Sequence, residues 1–244
     1  IDKQMRLTPL GRQLSVFPVD PGLAKVLVSA HENHCLLDTC AVAAMLVSGN
    51  TLINPTTEAR KEATTARATF RSSFGDHLTL RNILREYLLQ EKKRKSWCKA
   101  HFLNSRGLEY ARMVMEQLVE YCTQALGSRD AISSFIAEGS TVENTARDEE
   151  VLKCFLRGFH RNVGLLNETS IKGGRGTYRA IGTSAEQEVS IHPSSVLASL
   201  KSPPKAIVFG ELVITTKHYV RDVSVVDSSW LLTCLPNVYK SKKT

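Results

Sequence analysis

The chain has 244 residues, 42% of them hydrophobic, enough to bury a real core in one large or two modest domains and too apolar for disorder throughout. A formal charge of +8 and an isoelectric point near 9.2 favour a polyanionic partner, because Lys and Arg that neutralise phosphates release condensed counterions. No apolar run approaches membrane-spanning length, there is no charged-then-apolar leader, and Cys35, Cys40, Cys98, Cys122, Cys154 and Cys234 follow no disulfide framework, so they read as reduced thiols in an intracellular protein.

In chain order, residues 1–30 contain LTPLGRQLSVFPVDPGLAKVLVSA, where Pro9, Gly11, Pro18 and Pro21 punctuate a predicted strand-turn-helix piece too short to bury a core alone. From His31 to Gly127 the period is helical. Leu36, Leu37, Ala41, Ala44 and Met45 fall on one helix, and Asn54-Pro55 is expected to open a second with proline in its first turn. Asp76 is expected to cap a third helix carrying Leu80, Ile83, Leu84, Tyr87 and Leu88, and Ser96 a fourth. Leu108, Ala111, Met115, Leu118 and Cys122 form an apolar stripe on one long helix. After Gly127, Val151, Leu152, Phe155 and Phe159 predict a helix over about 149–161.

The last third changes period. TYRAI, EVSIH, KAIVFGELVITT and HYVRDVSVV are short β-rich runs separated by Gly, Pro and Ser, which predicts a small antiparallel barrel. The insert from Gly164 to Gly176 reads as an exposed loop around Arg175. In the run ELVITTKHYV, alternation puts Leu212, Ile214 and Thr216 on one face and Val213, Thr215 and Lys217 on the other, and it aligns Lys217, Tyr219 and Arg221 on one side of a strand. That basic and aromatic set suits phosphate contact and base stacking, and equally a plainly solvated face.

Charge is concentrated. Residues 58–99 carry eleven Lys and Arg against five Asp and Glu, a net +6, whereas Glu143, Asp148, Glu149 and Glu150 make a short acidic segment. No phosphate loop and no Asp-Glu-Ala-His box occurs, so the chain lacks the parts that nucleotide hydrolysis needs. His31, His34, Cys35 and Cys40 match no common zinc spacing, and no G-x-S-x-G elbow supports a serine hydrolase. No catalytic or metal-ligating set is assigned.

Five motifs in order, LTPLGRQLSVFPVDPGLAKVL, FGDHLTL, SWCKAHFLNSRGL, IHPSSVL and ELVITTKHYVRDV followed by Trp230-Leu231, resemble the carboxy-terminal region of the DEAH/RHA family of ATP-dependent RNA helicases. The resemblance implies an α+β fold: a partial winged-helix segment over 1–30, a helical ratchet (HA2-like) domain over 31–160, and an OB-fold barrel with a C-terminal helix over 161–244. Beginning at Ile1 with the first motif under way suggests a piece of a longer polypeptide, whose two RecA-like motor domains would bind ATP and Mg2+.

The partners implied are single-stranded RNA, the motor domains and a G-patch protein, with no membrane, in nuclear splicing or ribosome biogenesis. A stand-alone RNA-binding adaptor or a protein-docking scaffold are the other readings. RNA-binding candidates are His101, standing where the family usually has asparagine, with Asn104 and Arg106 in the third motif; Arg161 and Asn162 before the barrel; Ser194 and Ser195; and Lys217, Tyr219 and Arg221. For Ser194 and Ser195 the competing reading is a rigid turn, for Arg106 a bond to a core carboxylate, and Trp97 and Phe102 are read as core. Asp76 and His77 are read chiefly as conformational punctuation.

Overall fold

A computed structural model describes residues 2, 4–138, 144–171, 173, 175–182 and 188–236. The first thirty residues are two helices, α1 (Pro9–Leu14) and α2 (Pro21–Glu32), with no strand among the described residues there. The reason is local. Thr8 and Asp20 each cap a helix, accepting from the N–H of Gly11 and Leu23, and each is followed by a proline whose missing N–H costs nothing in a first turn. Leu23, Val26, Leu27 and Ala30 of α2 enter the same core as the helices that follow.

The central helix α3 (Leu36–Ser48) is buried from Leu36 through Met45, apolar around most of its circumference but with Asp38 and Thr39 buried among the apolar residues. Asn54-Pro55 opens no helix; α4 (Arg60–Ala66) starts five residues later, and a short 3-10 turn ends at Phe70. Next come α5 (Asp76–Leu89) and α6 (Arg94–Ala100). Ser96 lies inside α6 rather than capping it: its hydroxyl donates to the Lys93 carbonyl, and Lys93 occupies the cap position without a side-chain bond.

The predicted stripe lies on α7 (Ser105–Leu126), which Asn104 caps and which Gly127, in the left-handed region at φ +69°, terminates. α8 (Ile132–Ala137) is short. α9 (Thr145–Gly158) begins earlier than the apolar pattern predicts because Asn144 caps it through the Arg147 N–H.

This helical body buries charge at its centre. Asp38 is fully buried and meets Arg81 at 3.3 Å and Arg85 at 2.8 Å, and it accepts from Nε of Arg147. Arg81 also donates to Asp148, and the Arg85 guanidinium lies 4.1 Å from the Phe135 ring centre. Helices α3, α5 and α9 are thereby tied through one carboxylate, and α8 joins them through its Phe135 ring against Arg85.

The barrel strands are β1 (Val163–Leu166), β2 (Tyr178–Ala180), β3 (Glu188–Ile191), β4 (Ala206–Ile214) and β5 (His218–Val225), closed in the order β1-β2-β3-β5-β4. All neighbours are antiparallel except β3 and β5, which run parallel. The first strand occupies the start of what the sequence presents as an exposed insert, and Tyr178-Arg179 belongs to the second strand. Gly164 conceals β1: a Cβ there would come within 3.0 Å of Ile207 and 3.1 Å of Tyr178, so the close packing of neighbouring strands selects a residue that reads as a loop signal. A last helix, α10 (Ser228–Cys234), packs Leu231 against Leu156 of α9 and Val163 of β1.

Removing the Asp38 carboxylate leaves Arg81, Arg85 and Arg147 short of their shared acceptor. Asp38→Ala is expected to cost about 3–5 kcal/mol, the range for breaking a buried ion pair from one side, read as a fall in the urea unfolding midpoint.

A basic cleft between the helical body and the barrel

The cleft exists because the FGDHLTL stretch clasps the barrel. The Phe74 carbonyl accepts the Val225 N–H at 2.8 Å, and Gly75 takes φ +118° against β5. Any Cβ at Gly75 would stand 2.4 Å from the Val223 carbonyl oxygen, so glycine is needed for the approach itself. Asp76 does not cap α5, which begins after Gly75. Its carboxylate points across the junction, accepting the N–H of Val196 at 2.9 Å and of Val223 at 2.8 Å. Burial pushes this carboxyl upward in pKa, and those two N–H groups oppose the shift.

His77 completes the clasp. Its backbone N–H donates to the Ser224 hydroxyl oxygen at 3.3 Å, and its ring Nδ1 shares a 2.8 Å hydrogen bond with the same oxygen. The ring packs 4.6 Å from the Phe155 centroid and is wholly buried, which lowers its pKa to about 3 and keeps it neutral.

Above the clasp lies a cleft of about 560 Å³. The helical body contributes Arg67, Arg71, Thr64 and Thr79, and the barrel contributes Arg175, Ser190, Ser194, Ser195, Lys217 and Tyr219. Arg67 is fixed from α6 and its neighbours: it donates to the carbonyls of His101 at 3.2 Å, Ile53 at 2.6 Å and Phe102. Arg71 crosses to the barrel, donating to the Val196 carbonyl at 2.7 Å and the Ser199 hydroxyl at 2.8 Å. Both guanidiniums are held by neutral oxygens, so their charge is positioned without being neutralised by a carboxylate bond.

The IHPSS loop is stiff. Nδ1 of His192 accepts from the Ser194 N–H at 3.2 Å and shares a 2.6 Å hydrogen bond with its hydroxyl, and the Ser195 N–H donates to the His192 carbonyl at 3.0 Å. Ser195 is nearly buried and its hydroxyl accepts the Leu197 N–H. The Tyr219 ring meets His192 edge-on at 5.5 Å.

Of the sequence candidates, Ser194, Ser195, Lys217 and Tyr219 converge on this cleft. Lys217 arrives from the β4–β5 turn, where its carbonyl accepts the Thr215 N–H, and not from strand alternation. Arg221 lies beside them, 3.4 Å from His192 and 3.5 Å from Glu211.

The others are placed elsewhere. His101 packs its ring against Trp97 and Phe70 and donates from Nδ1 to the Trp97 carbonyl. Asn104 is the α7 cap and also donates to the Asn50 carbonyl, while Arg106 is exposed on α7. Asn162 donates to the Gly210 carbonyl at 2.9 Å, seating the start of the barrel on β4, and Arg161 beside it is exposed. Arg67, Arg71 and Arg175 were not among the candidates. The signal for the first two is their spacing of four within the basic stretch, and for the third its setting among glycines.

Comparison with known proteins gives two family profiles: residues 20–80 match "Helicase associated domain (HA2), ratchet-like", and residues 151–239 match "Oligonucleotide/oligosaccharide-binding (OB)-fold". The chain is 34% identical over 241 residues to the probable ATP-dependent RNA helicase DHX35 of Homo sapiens, covering 98% of this chain and 31% of that protein. It is 34% identical to the ATP-dependent RNA helicase DHX33 of Mus musculus, covering 99% and 31%, and 32% identical to the probable ATP-dependent RNA helicase DHR2 of Saccharomyces cerevisiae, covering 97% and 32%. The chain thus spans about a third of the length of these relatives.

The clasp carries a pH signature. The folded-state pKa of His77, about 3, lies below the 6.5 of a free ring, so its contribution to stability is complete above pH 6.5 and is lost as pH falls towards 3. Urea midpoints measured across that window are expected to fall steadily, and His77→Asn, which has no ring to protonate, is expected to flatten the fall.

Proposed function

The chain belongs to the DEAH/RHA family of ATP-dependent RNA helicases as its ratchet-like and OB-fold region, and on that premise we propose that the cleft grips single-stranded RNA and passes motor movement into strand translocation. The observation that carries this reading is a cleft lined by Arg67, Arg71, Arg175 and Lys217 with no Asp or Glu among its described lining residues, beside an Asp76 already engaged by two barrel N–H groups. Phosphates entering there meet positive charge that is fixed before binding.

The chemistry is grip without base reading. Ser190 and Ser194 offer hydroxyls to phosphate or ribose, and Tyr219 offers a ring on which any base can stack. Hydrolysis of ATP with Mg2+ is assigned to the motor domains of the whole protein, and the ratchet and barrel act as the rigid surface against which those domains push the strand. Rigidity is what the clasp supplies: Gly75, Asp76 and His77 join the two walls of the cleft so that they move as one.

A labelled oligouridine followed by fluorescence anisotropy at two salt concentrations tests this. Binding is expected to be tolerant of sequence and steeply weakened by salt. Arg175→Ala with Lys217→Ala is expected to raise Kd on the order of tenfold and to reduce the log–log salt slope by roughly 0.7 for each phosphate no longer neutralised. Both side chains are exposed, so the variant keeps its fold, and unchanged binding would remove the cleft from the RNA path.

A further inference from the structure

Cys35 and Cys154 are 119 positions apart, yet their sulfurs face each other at 3.8 Å. Cys35 stands at the position preceding α3, and Cys154 lies on α9. Both are buried and both are free thiols.

Their surroundings differ. Three groups converge on the Cys154 sulfur: the Cys35 thiol, the Ser29 hydroxyl, and the Arg157 guanidinium, whose Nη1 is 4.0 Å away and also donates to Ser29 at 3.2 Å. The hydrogen bond shared with Cys35, then Ser29 and Arg157, lowers the Cys154 pKa against the opposing effect of burial. Cys35, sharing that hydrogen bond in a buried site, is pushed up. The result is one sulfur with a hydroxyl and a guanidinium placed to favour its thiolate and a second sulfur 3.8 Å away, which is the arrangement of an attacking thiol and its resolving partner. Arg157 is half-exposed, so the pair sits one side chain beneath the surface.

The protein contains its own contrast. Cys40 on α3 hydrogen-bonds Cys122 on α7, both are as deeply buried, and that bond and burial raise Cys40 as they raise Cys35, but among the described residues no guanidinium or ammonium reaches either sulfur as Arg157 reaches Cys154. Proximity is common to the two pairs. The positive charge is not.

We propose that Cys154 is a peroxide-oxidised thiol and Cys35 its resolving thiol, closing a disulfide that ties the start of α3 to α9. The Cys154 thiolate attacks one oxygen of hydrogen peroxide; the O–O bond breaks, a sulfenic acid forms, and the released hydroxide takes a proton to become water. Cys35 then attacks the Cys154 sulfur, the S–O bond breaks, and a second water leaves with the Cys35 proton. Two thiols are oxidised by two electrons and one peroxide is reduced to two waters. Because α9 leads through Asn162 into β1, the bond fixes the helix that carries the barrel.

The test uses the full 244-residue chain, reduced and then treated with hydrogen peroxide, followed by peptide mapping without reductant. A Cys35–Cys154 bridged peptide is expected while Cys40 and Cys122 stay reduced. Cys154→Ser abolishes the bridge, and Cys35→Ser leaves Cys154 as a sulfenic acid captured by dimedone. Arg157→Gln slows that capture about tenfold, as loss of the neighbouring cation requires. Oxidation of both pairs at equal rates in protein whose circular dichroism is unchanged would overturn the proposal, as would native protein in which no Cys35–Cys154 bridge forms.

Discussion

Everything distinctive about this molecule depends on one carboxylate that has left its own helix. Asp76 occupies the first turn of α5, where an acidic side chain would ordinarily answer the free N–H groups of that helix, and instead it answers two N–H groups of the barrel. The Val196 N–H belongs to the loop that lines the cleft and the Val223 N–H to β5. The same oxygens therefore hold the helical body to the barrel and set the position of the IHPSS loop. The clasp tolerates little variation: Gly75 has no room for a side chain and His77 no room for charge.

Buried charge recurs at the centre of the helical body, with the opposite balance. Around Asp38 three guanidiniums share one fully buried carboxylate, with Asp148 and Glu138 at the margin. Such a group is expensive to desolvate, and its geometry restricts how α3, α5 and α9 can pack, because each arginine has a single direction in which its fork is satisfied. Two polar centres, one inside the helices and one at their junction with the barrel, thus fix orientations that the surrounding Leu, Val and Ala side chains could satisfy in several ways.

Much of the architecture was legible wherever one periodicity acts alone. The stripe on α7 and the runs that became β3, β4 and β5 stand in the sequence as they stand in the fold. Legibility failed where a residue serves a contact distant in sequence. Gly164 reads as a loop and is a strand residue pressed between Ile207 and Tyr178; Asp76 reads as a cap and is a bridge; Asn162 sits beside an exposed arginine and proves to be a hydrogen-bond anchor. Strand alternation placed Lys217 on the correct side for the wrong reason, since a turn delivers it. Arg67 and Arg71 were visible only as members of a basic stretch, because what distinguishes them is the set of neutral oxygens that holds them, and those oxygens come from segments remote in the chain.

The barrel closes through β3 and β5, whose parallel pairing among the described residues joins Ser190 to Tyr219 and Ile191 to Val220, whereas β4 and β5 pair along most of their length. Parallel pairing is slightly less stable per residue than antiparallel, so this joint, with the equally short β2–β3 pairing, is among the places where the barrel parts when it breathes. Ser190 and Tyr219, on the two sides of that joint, both line the cleft. Whatever fills the cleft therefore lies across the joint as a splint, and occupancy is converted into resistance of the whole ring to opening.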